Sequence, residues 1–112
     1  MLELSDALGA MDVKVGDRLL TLRGVTGTQR DNWEARMLRF VTDDEGNTHP
    51  VVDKKDVKAA LIQPSLFDGD QLAYPTIEAC GALPTAAVDA LYDAVRELSG
   101  MADDSEEVLG ND

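Results

Sequence analysis

The chain has little of what most enzyme sites and export routes require. Its 112 residues include one cysteine, Cys80, and one histidine, His49. A single cysteine excludes an intramolecular disulfide. One cysteine and one histidine are also too few ligands for a Cys/His zinc site built from one chain. No run approaches about 18 apolar residues, and the first residues lack the basic region and the apolar core of a signal peptide. We therefore expect no membrane span and a reducing cytoplasm.

Aromatic residues and bases are also scarce. Aromatics make up 4% of the chain, so the core must consist mainly of Leu, Val, Ala and Met. The net charge is -12, and residues 59–112 contain 11 acids and one base, whereas residues 1–58 contain 11 acids and 9 bases. Such a surface repels phosphates and anionic lipids and favours solubility or a basic partner. We expect no nucleic-acid partner and no membrane partner.

Motifs for catalysis or cofactor binding are lacking as well. A Ser-His-Asp arrangement around His49 is formally possible, but nothing resembles a nucleophile elbow. The stretches "TDDEGN" and "DGD" lack the spacing of a calcium loop, so solvated turns are the better interpretation. Cys80 lies in an apolar stretch that is more typical of a buried side chain than of a reactive thiol. We therefore predict that the protein is not an enzyme and that it has no catalytic residue, cofactor or metal.

What is present is a clear pattern of strands and helices. Two short runs of alternating apolar residues flank Gly16–Asp17, a favourable turn, and predict a β-hairpin over 12–23. Thr26 and Gln29 have the spacing of a helix capping box, with Thr28 as the alternative cap. Beyond them, apolar residues at helical spacing predict a helix over 28–41. These apolar residues are Trp33, Met37, Phe40 and Val41.

Shorter elements follow in the middle of the chain. The stretch "TDDEGNTHPVVD" (42–53) predicts a surface loop, with a short hairpin within it as the alternative. The stretch "DKKDVKAALIQ" predicts a helix over 53–62 that Pro64 ends, with a buried strand as the alternative for "VKAALI". The stretch "TIEACGAL" predicts one short helix closed by Gly81.

The last helix is the best-defined element in the sequence. It is predicted over 84–99, with Pro84 in its first turn and Gly100 as its left-handed C-terminal cap. Asp93 and Arg96 can form an ion pair across one turn. Its apolar stripe, which we expect to close the core, consists of Val88, Leu91, Val95 and Leu98, with Ala87 and Ala94 beside it.

Together these elements predict an α+β fold that is mostly helical. An N-terminal β-hairpin is followed by three to four helices. We expect one globular domain over residues 1–101 and a flexible acidic C-terminus over residues 102–112. That tail contains five acids, no base and few apolar side chains, too few to offset its chain entropy.

Three stretches of the chain share their order with the motifs of a known family. They are "LRGVTGTQRDNWEARM" (22–37), "DVKAALIQPSLFDGD" (56–70) and "LPTAAVDALYDAVRELSGMADDSEEV" (83–108). The last is a close match, and the first two are similar in composition. Together they resemble the bacteriophage tail assembly chaperones of long-tailed phages, in the short form that precedes a translational frameshift. Pro64 and residues 62–80 depart from the family pattern.

The resemblance implies a role in virion morphogenesis. Members of that family bind the tape measure protein, the long helical chain that sets tail length, and keep it soluble until the tail tube polymerises around it. The resemblance therefore implies a location in the host cell cytoplasm and absence from the mature virion. It also implies a frameshifted longer form that contacts the tail tube protein. Because one domain of 112 residues covers only a short piece of a long helix, we also expect several copies to self-associate along the target.

A chaperone for amphipathic helices needs an apolar groove lined by adaptable side chains. Methionines are residues of that kind, and the chain offers Met11, Met37 and Met101. We expect the groove between the 28–41 helix and the 84–99 helix. Its predicted partner-binding residues are Trp33, Met37 and Met101, although Trp33 is in general more typical of a core anchor than of a ligand platform.

Two other functions stay open. An acidic mimic of nucleic acid that inhibits a DNA-binding host protein would use the same negatively charged half of the chain. It would require acids spaced along one face, whereas here they cluster in turns and in the tail, which favours the chaperone. A minor structural component of the tail is the other alternative, and mass spectrometry of purified virions separates it from a chaperone.

Overall fold

A computed structural model of the protein describes residues 8–101, which form six strands and four helices. The strands are β1 (Ala10–Val15), β2 (Arg18–Arg23), β3 (Leu38–Thr42), β4 (Thr48–Val52), β5 (Leu66–Asp68) and β6 (Gln71–Leu72). The helices are α1 (Gly27–Met37), α2 (Val57–Ile62), α3 (Ile77–Gly81) and α4 (Thr85–Leu98), and a 3-10 turn spans Gln63–Ser65. The predicted flexible tail over 102–112 lies outside the described residues.

The strands form two antiparallel sheets. The larger one has the order β1-β2-β5-β6, and the smaller one consists of β3 and β4. β1 and β2 are joined by a tight turn in which Gly16 has a φ of +61°, a conformation that glycine adopts without steric cost. The N-terminal hairpin predicted over 12–23 and its turn are therefore confirmed.

The fold is α+β, but the prediction that it is mostly helical is wrong. Helix accounts for 41% and strand for 29% of the described structure, which is a fairly balanced composition. The main error concerns the helix predicted over 28–41, because α1 ends at Met37 and the chain continues directly into β3. The sequence "LRFVT" contains aromatic and β-branched residues that favour a strand, and pairing with β4 decides between the two.

The capping box predicted at the start of α1 is confirmed, and the helix begins at Gly27, one residue before the predicted start. The Thr26 hydroxyl accepts a hydrogen bond from the backbone N–H of Gln29 (3.1 Å), and the Gln29 side chain accepts one from the backbone N–H of Thr26 (2.9 Å). This reciprocal pair is a complete capping box. α1 then buries Trp33 and Met37, which lie one turn apart on the face that turns toward the core.

α2 is short and lies at the centre of the molecule, where it contacts α1, α3 and α4. Its last four residues, Ala59–Ile62, are all buried. The helix predicted over 53–62 is confirmed only in its second half, because the chain reaches α2 through Asp56, which has a left-handed φ of +54°. Pro64 does end the helix, inside the 3-10 turn, and a strand over "VKAALI" is excluded.

α4 has nearly the predicted bounds and is followed by Gly100 with a φ of +69°, the expected left-handed cap. Leu91 and Val95 of the predicted stripe are buried, and Arg96 approaches Asp93 to 3.8 Å. On the opposite side of the core, β2 and β5 contribute their inward-facing side chains. The residues of this core that are most completely enclosed are Leu20, Leu22, Leu61, Ile62, Leu66, Cys80 and Val95.

Candidate functional site

β1 is an edge strand, and the uncovered part of its inner face forms one wall of a groove. Its one strand neighbour in the described sheet is β2. Met11, Val13 and Val15 share a face because side chains alternate along a strand. Val13 and Val15 are half-buried, and Met11 is 43% exposed. The margin of the sheet therefore presents an apolar row that the helices cover incompletely.

α4 forms the opposite wall through a row of small side chains. Ala87, Ala90, Leu91 and Ala94 have the spacing i, i+3, i+4 and i+7, which places them on one side of a helix. Leu91 is buried, whereas Ala90 is exposed. Larger side chains in the three alanine positions would occupy part of the space between α4 and β1. The alanines leave this space open.

The two walls enclose a groove with a volume of about 570 Å³. Its remaining lining residues are Lys14, Gly16, Tyr74, Leu83 and Pro84. Among the described residues that line it, Lys14 alone is charged. We call this site the β1–α4 groove. Its surface offers apolar contacts and few polar groups, so it is suited to holding an apolar segment.

A second apolar surface lies on the hairpin formed by β3 and β4. Leu38 pairs with Val52, and Phe40 pairs with Pro50, so these four side chains share one face. Leu38, Phe40 and Val52 are 48%, 67% and 59% exposed. We call these four residues the hairpin face. Contiguous exposed apolar residues of this kind mark interaction surfaces in soluble proteins.

The residues predicted to bind a partner lie in the core of the isolated chain. Trp33, Met37 and Met101 are only 4%, 6% and 4% exposed. The indole N–H of Trp33 donates a hydrogen bond to the Val57 carbonyl (2.7 Å), and its ring lies 6.3 Å from the ring of Tyr92. Trp33 thus joins α1 to α2 and α4. Partner binding by these three residues stays a prediction, and it would require a rearrangement of the core to expose them.

Of the three methionines singled out from the sequence, Met11 is the one that lines the β1–α4 groove. Ala87 and Ala94 were expected beside the apolar stripe of the last helix, and they are found there. Ala90 and the inner face of β1 were not predicted from the sequence as parts of a site. The sequence feature that could have indicated the site is the row of alanines beside the stripe of large apolar side chains. Such a row is typical of a helix face that neighbouring elements cover incompletely.

Comparisons with known proteins add nothing to this geometry. No family model, curated protein or solved structure matched the chain. The resemblance to tail assembly chaperones therefore stays a prediction.

Among residues 8–101, no group of three or more His, Cys, Asp or Glu side chains is placed to hold a metal ion. Cys80 is completely buried, and burial raises the pKa of its thiol to about 11, so the thiol stays protonated near neutral pH. None of the helices in this region combines the length and the apolar character needed to cross a membrane.

Proposed function

We propose that this protein is a phage tail assembly chaperone that binds amphipathic helical segments of a tape measure protein in the β1–α4 groove. The observation that carries the proposal is the groove itself, about 570 Å³ in volume and lined mainly by apolar side chains. The family resemblance supplies the identity of the target, and the groove supplies a physical means of holding it. Binding would keep the target soluble while the tail tube assembles.

The dimensions of the groove suit a short stretch of helix. From Ala87 to Ala94 the α4 wall rises by seven residues, or about 10 Å at about 1.5 Å per residue. This length faces about two turns of a bound helix, which would insert apolar side chains at positions i, i+4 and i+7. The alanines allow close approach, and the flexible thioether of Met11 adapts to side chains of different shape.

A site of this length also explains why several copies would act on one target. A tape measure protein is a very long helical chain, and each copy covers about two turns of it. Exposed apolar stripes on long helices lead to aggregation, so solubility requires many bound copies. The net charge of -12 on each copy keeps the assembled complex in solution.

The proposal is tested by co-expression with the tape measure protein encoded in the same genome. We expect the tape measure protein to become soluble and to co-purify with the wild-type chain. Two groove substitutions, Ala90→Asp and Met11→Asp, place a carboxylate at exposed positions of the two walls and should abolish co-purification. Matched controls are Ala86→Asp, exposed on the same helix, and Leu19→Asp, 72% exposed on β2, because neither residue lines the groove.

Each outcome has a distinct meaning. A tape measure protein that stays insoluble with the wild-type chain, and does not co-purify with it, overturns the chaperone function. Equal solubilisation by the wild type and by both groove variants would leave the chaperone function standing and would rule out the β1–α4 groove as the binding site. Detection of the chain in purified virions by mass spectrometry would favour a structural component of the tail.

A further inference from the structure

The β3–β4 hairpin is incomplete as a structural unit. In the described part of the chain each of its strands has one neighbour, and neither belongs to the larger sheet. Two-stranded sheets are marginally stable on their own in water. The hairpin face, formed by Leu38, Phe40, Pro50 and Val52, is exposed although it is apolar. Both features indicate that another chain covers the hairpin.

The hairpin also has opposite charges at its two ends. Its acidic tip contains three acids and no base: Asp43, Asp44 and Glu45. Its basic base, formed by residues 36–39 and 53–55 at the opposite end, contains four bases against one acid, Asp53, which accepts a hydrogen bond from Arg39 at 2.9 Å. The bases are Arg36, Arg39, Lys54 and Lys55. A surface with this polarity is complementary to its own copy when the two are arranged antiparallel.

We propose that two copies of this chain associate by packing their hairpin faces against each other in antiparallel orientation about a two-fold axis. A two-fold arrangement uses the same patch on both copies, so an apolar patch meets an apolar patch. The antiparallel orientation places the basic base of each copy beside the acidic tip of the other, and this favourable contact occurs twice. A parallel arrangement would bring like charges together at both ends.

Packing of the faces fits the hairpin better than pairing of its edges. Pairing along an edge would leave the ring of Phe40, which is 67% exposed, in contact with water. Pro50 also lacks the backbone N–H that a further strand on the β4 side would need. Face packing removes Leu38, Phe40 and Val52 from water without requiring new backbone hydrogen bonds.

This association does not depend on the proposed function. None of the residues of β3 or β4 lines the β1–α4 groove, so each copy of the dimer keeps its groove open. A dimer would thus present two equivalent grooves. The proposal can fail while the chaperone function stands, and the reverse also holds.

The first test measures mass by sedimentation equilibrium of the purified chain over a range of concentrations. The wild type should approach 24.2 kDa, twice the chain mass of 12.1 kDa. Phe40→Glu should raise the dimer dissociation constant by about tenfold or more, because central aromatic residues dominate such interfaces. Leu19→Glu, at a position 72% exposed outside the hairpin, should leave the dimer intact. A wild type that stays monomeric at every concentration, or a Phe40→Glu variant that dimerises normally, overturns the proposal.

The second test uses charge reversal and distinguishes a second copy from any other occupant. One variant reverses the base of the hairpin (Arg36→Glu with Lys55→Glu), and another reverses the tip (Asp44→Lys with Glu45→Lys). Each alone should dimerise more weakly than the wild type, because both end contacts become repulsive. An equal mixture should form heterodimers, because both contacts become complementary again. A mixture that associates no better than its separate components overturns the antiparallel arrangement.

Discussion

Cys80 shows how a single buried side chain ties the stability of this fold to pH. Burial raises the pKa of its thiol from an ordinary value of 9.0 to about 11. The unfolded chain therefore loses its thiol proton at a lower pH than the folded chain. Because the folded pKa is the higher one, the contribution to stability is complete below pH 9 and is lost as the pH rises through 11.

We predict that the free energy of unfolding falls by about 2–3 kcal/mol between pH 9 and pH 11, at about 1.4 kcal/mol for each unit of pKa shift. Chemical denaturation at a series of pH values measures this slope. Cys80→Ala should be less stable at neutral pH, because it leaves a small cavity, and its slope over this interval should be shallower. An equal slope in the wild type and the variant would contradict the assignment to Cys80.

Gly24 is required for a close approach between β2 and the end of α4. A Cβ atom at this position would lie 2.9 Å from the carbonyl oxygen of Leu98, which belongs to the backbone and cannot rotate away. Gly24 also donates a backbone hydrogen bond to the carbonyl of Gly9 (2.8 Å), which fixes the chain locally. We predict that Gly24→Ala lowers the free energy of unfolding by about 1–3 kcal/mol.

The matched control for this prediction is Gly27→Ala at the start of α1. A Cβ atom there would meet no heavy atom within 4 Å, and Gly27 is not among the residues with positive φ. Alanine lowers the entropy of the unfolded chain, so the variant should be as stable as the wild type or gain up to about 1 kcal/mol. Thermal unfolding of the two variants measures the contrast. Similar stabilities would show that the contact near Gly24 relaxes easily.

Among the elements, the first helix shows which boundaries the sequence could predict. Its start has a specific chemical signal, because Thr26 and Gln29 each satisfy a backbone N–H of the other. Its end has no such signal, since no glycine or proline follows Met37. Phe40 and Val41 fit a helical spacing as well as a strand. Pairing with β4, about ten residues further along, determines the outcome, and propensity alone could not reveal it.

The last helix shows the same division for the candidate site. The apolar stripe and the flanking alanines of α4 could be predicted, because they follow from helical spacing within one segment. The groove could not, because its second wall is β1, about 75 residues earlier in the chain. Spacing within α4 does not reveal which element faces Ala90. The order of the strands, which leaves β1 at an edge, depends on contacts that are long-range in sequence.

The predicted role of α4 in closing the core leads to a test at Leu91. This side chain is 5% exposed and belongs to the main apolar cluster. Leu91→Asp would place a carboxylate among apolar residues, at a cost of about 4–5 kcal/mol or more. That is comparable to the whole stability of many domains of this size, so we expect the variant to be unfolded. Circular dichroism measures the loss of structure.

Ala90→Asp, one residue away, is the control for that experiment. Ala90 is exposed, so the same carboxylate stays in water there, and the thermal stability should change by less than about 1 kcal/mol. A stable Leu91→Asp variant would show that the stripe of α4 is a partner surface and not core.

At the scale of the whole molecule, the distribution of charge bears on which targets the proposed binding groove would prefer. The groove lining contributes one charge, Lys14, whereas the chain as a whole carries -12. Contacts inside the groove are therefore apolar and nearly independent of salt. The net charge makes the average field around the chain negative, and at physiological ionic strength this field extends over a Debye length of about 8 Å. A helix bound in the groove as proposed would place its polar flanks within this distance.

We predict that the protein binds an amphipathic helical peptide with lysine flanks more tightly than one with glutamate flanks and the same apolar stripe. The difference should lie mainly in the association rate, because long-range attraction steers the encounter while the apolar contacts determine the lifetime. Titration of labelled peptides, followed by fluorescence anisotropy, measures both affinities.

Raising the salt concentration from about 0.05 M to about 0.5 M should make the two affinities more alike by lowering the affinity for the lysine peptide. Screening removes the effect of the field and leaves the apolar contacts. Ala90→Asp should weaken both peptides at every salt concentration. Equal affinities at low salt, or a preference for the glutamate peptide, would show that the acidic surface serves solubility and has no part in selecting the target.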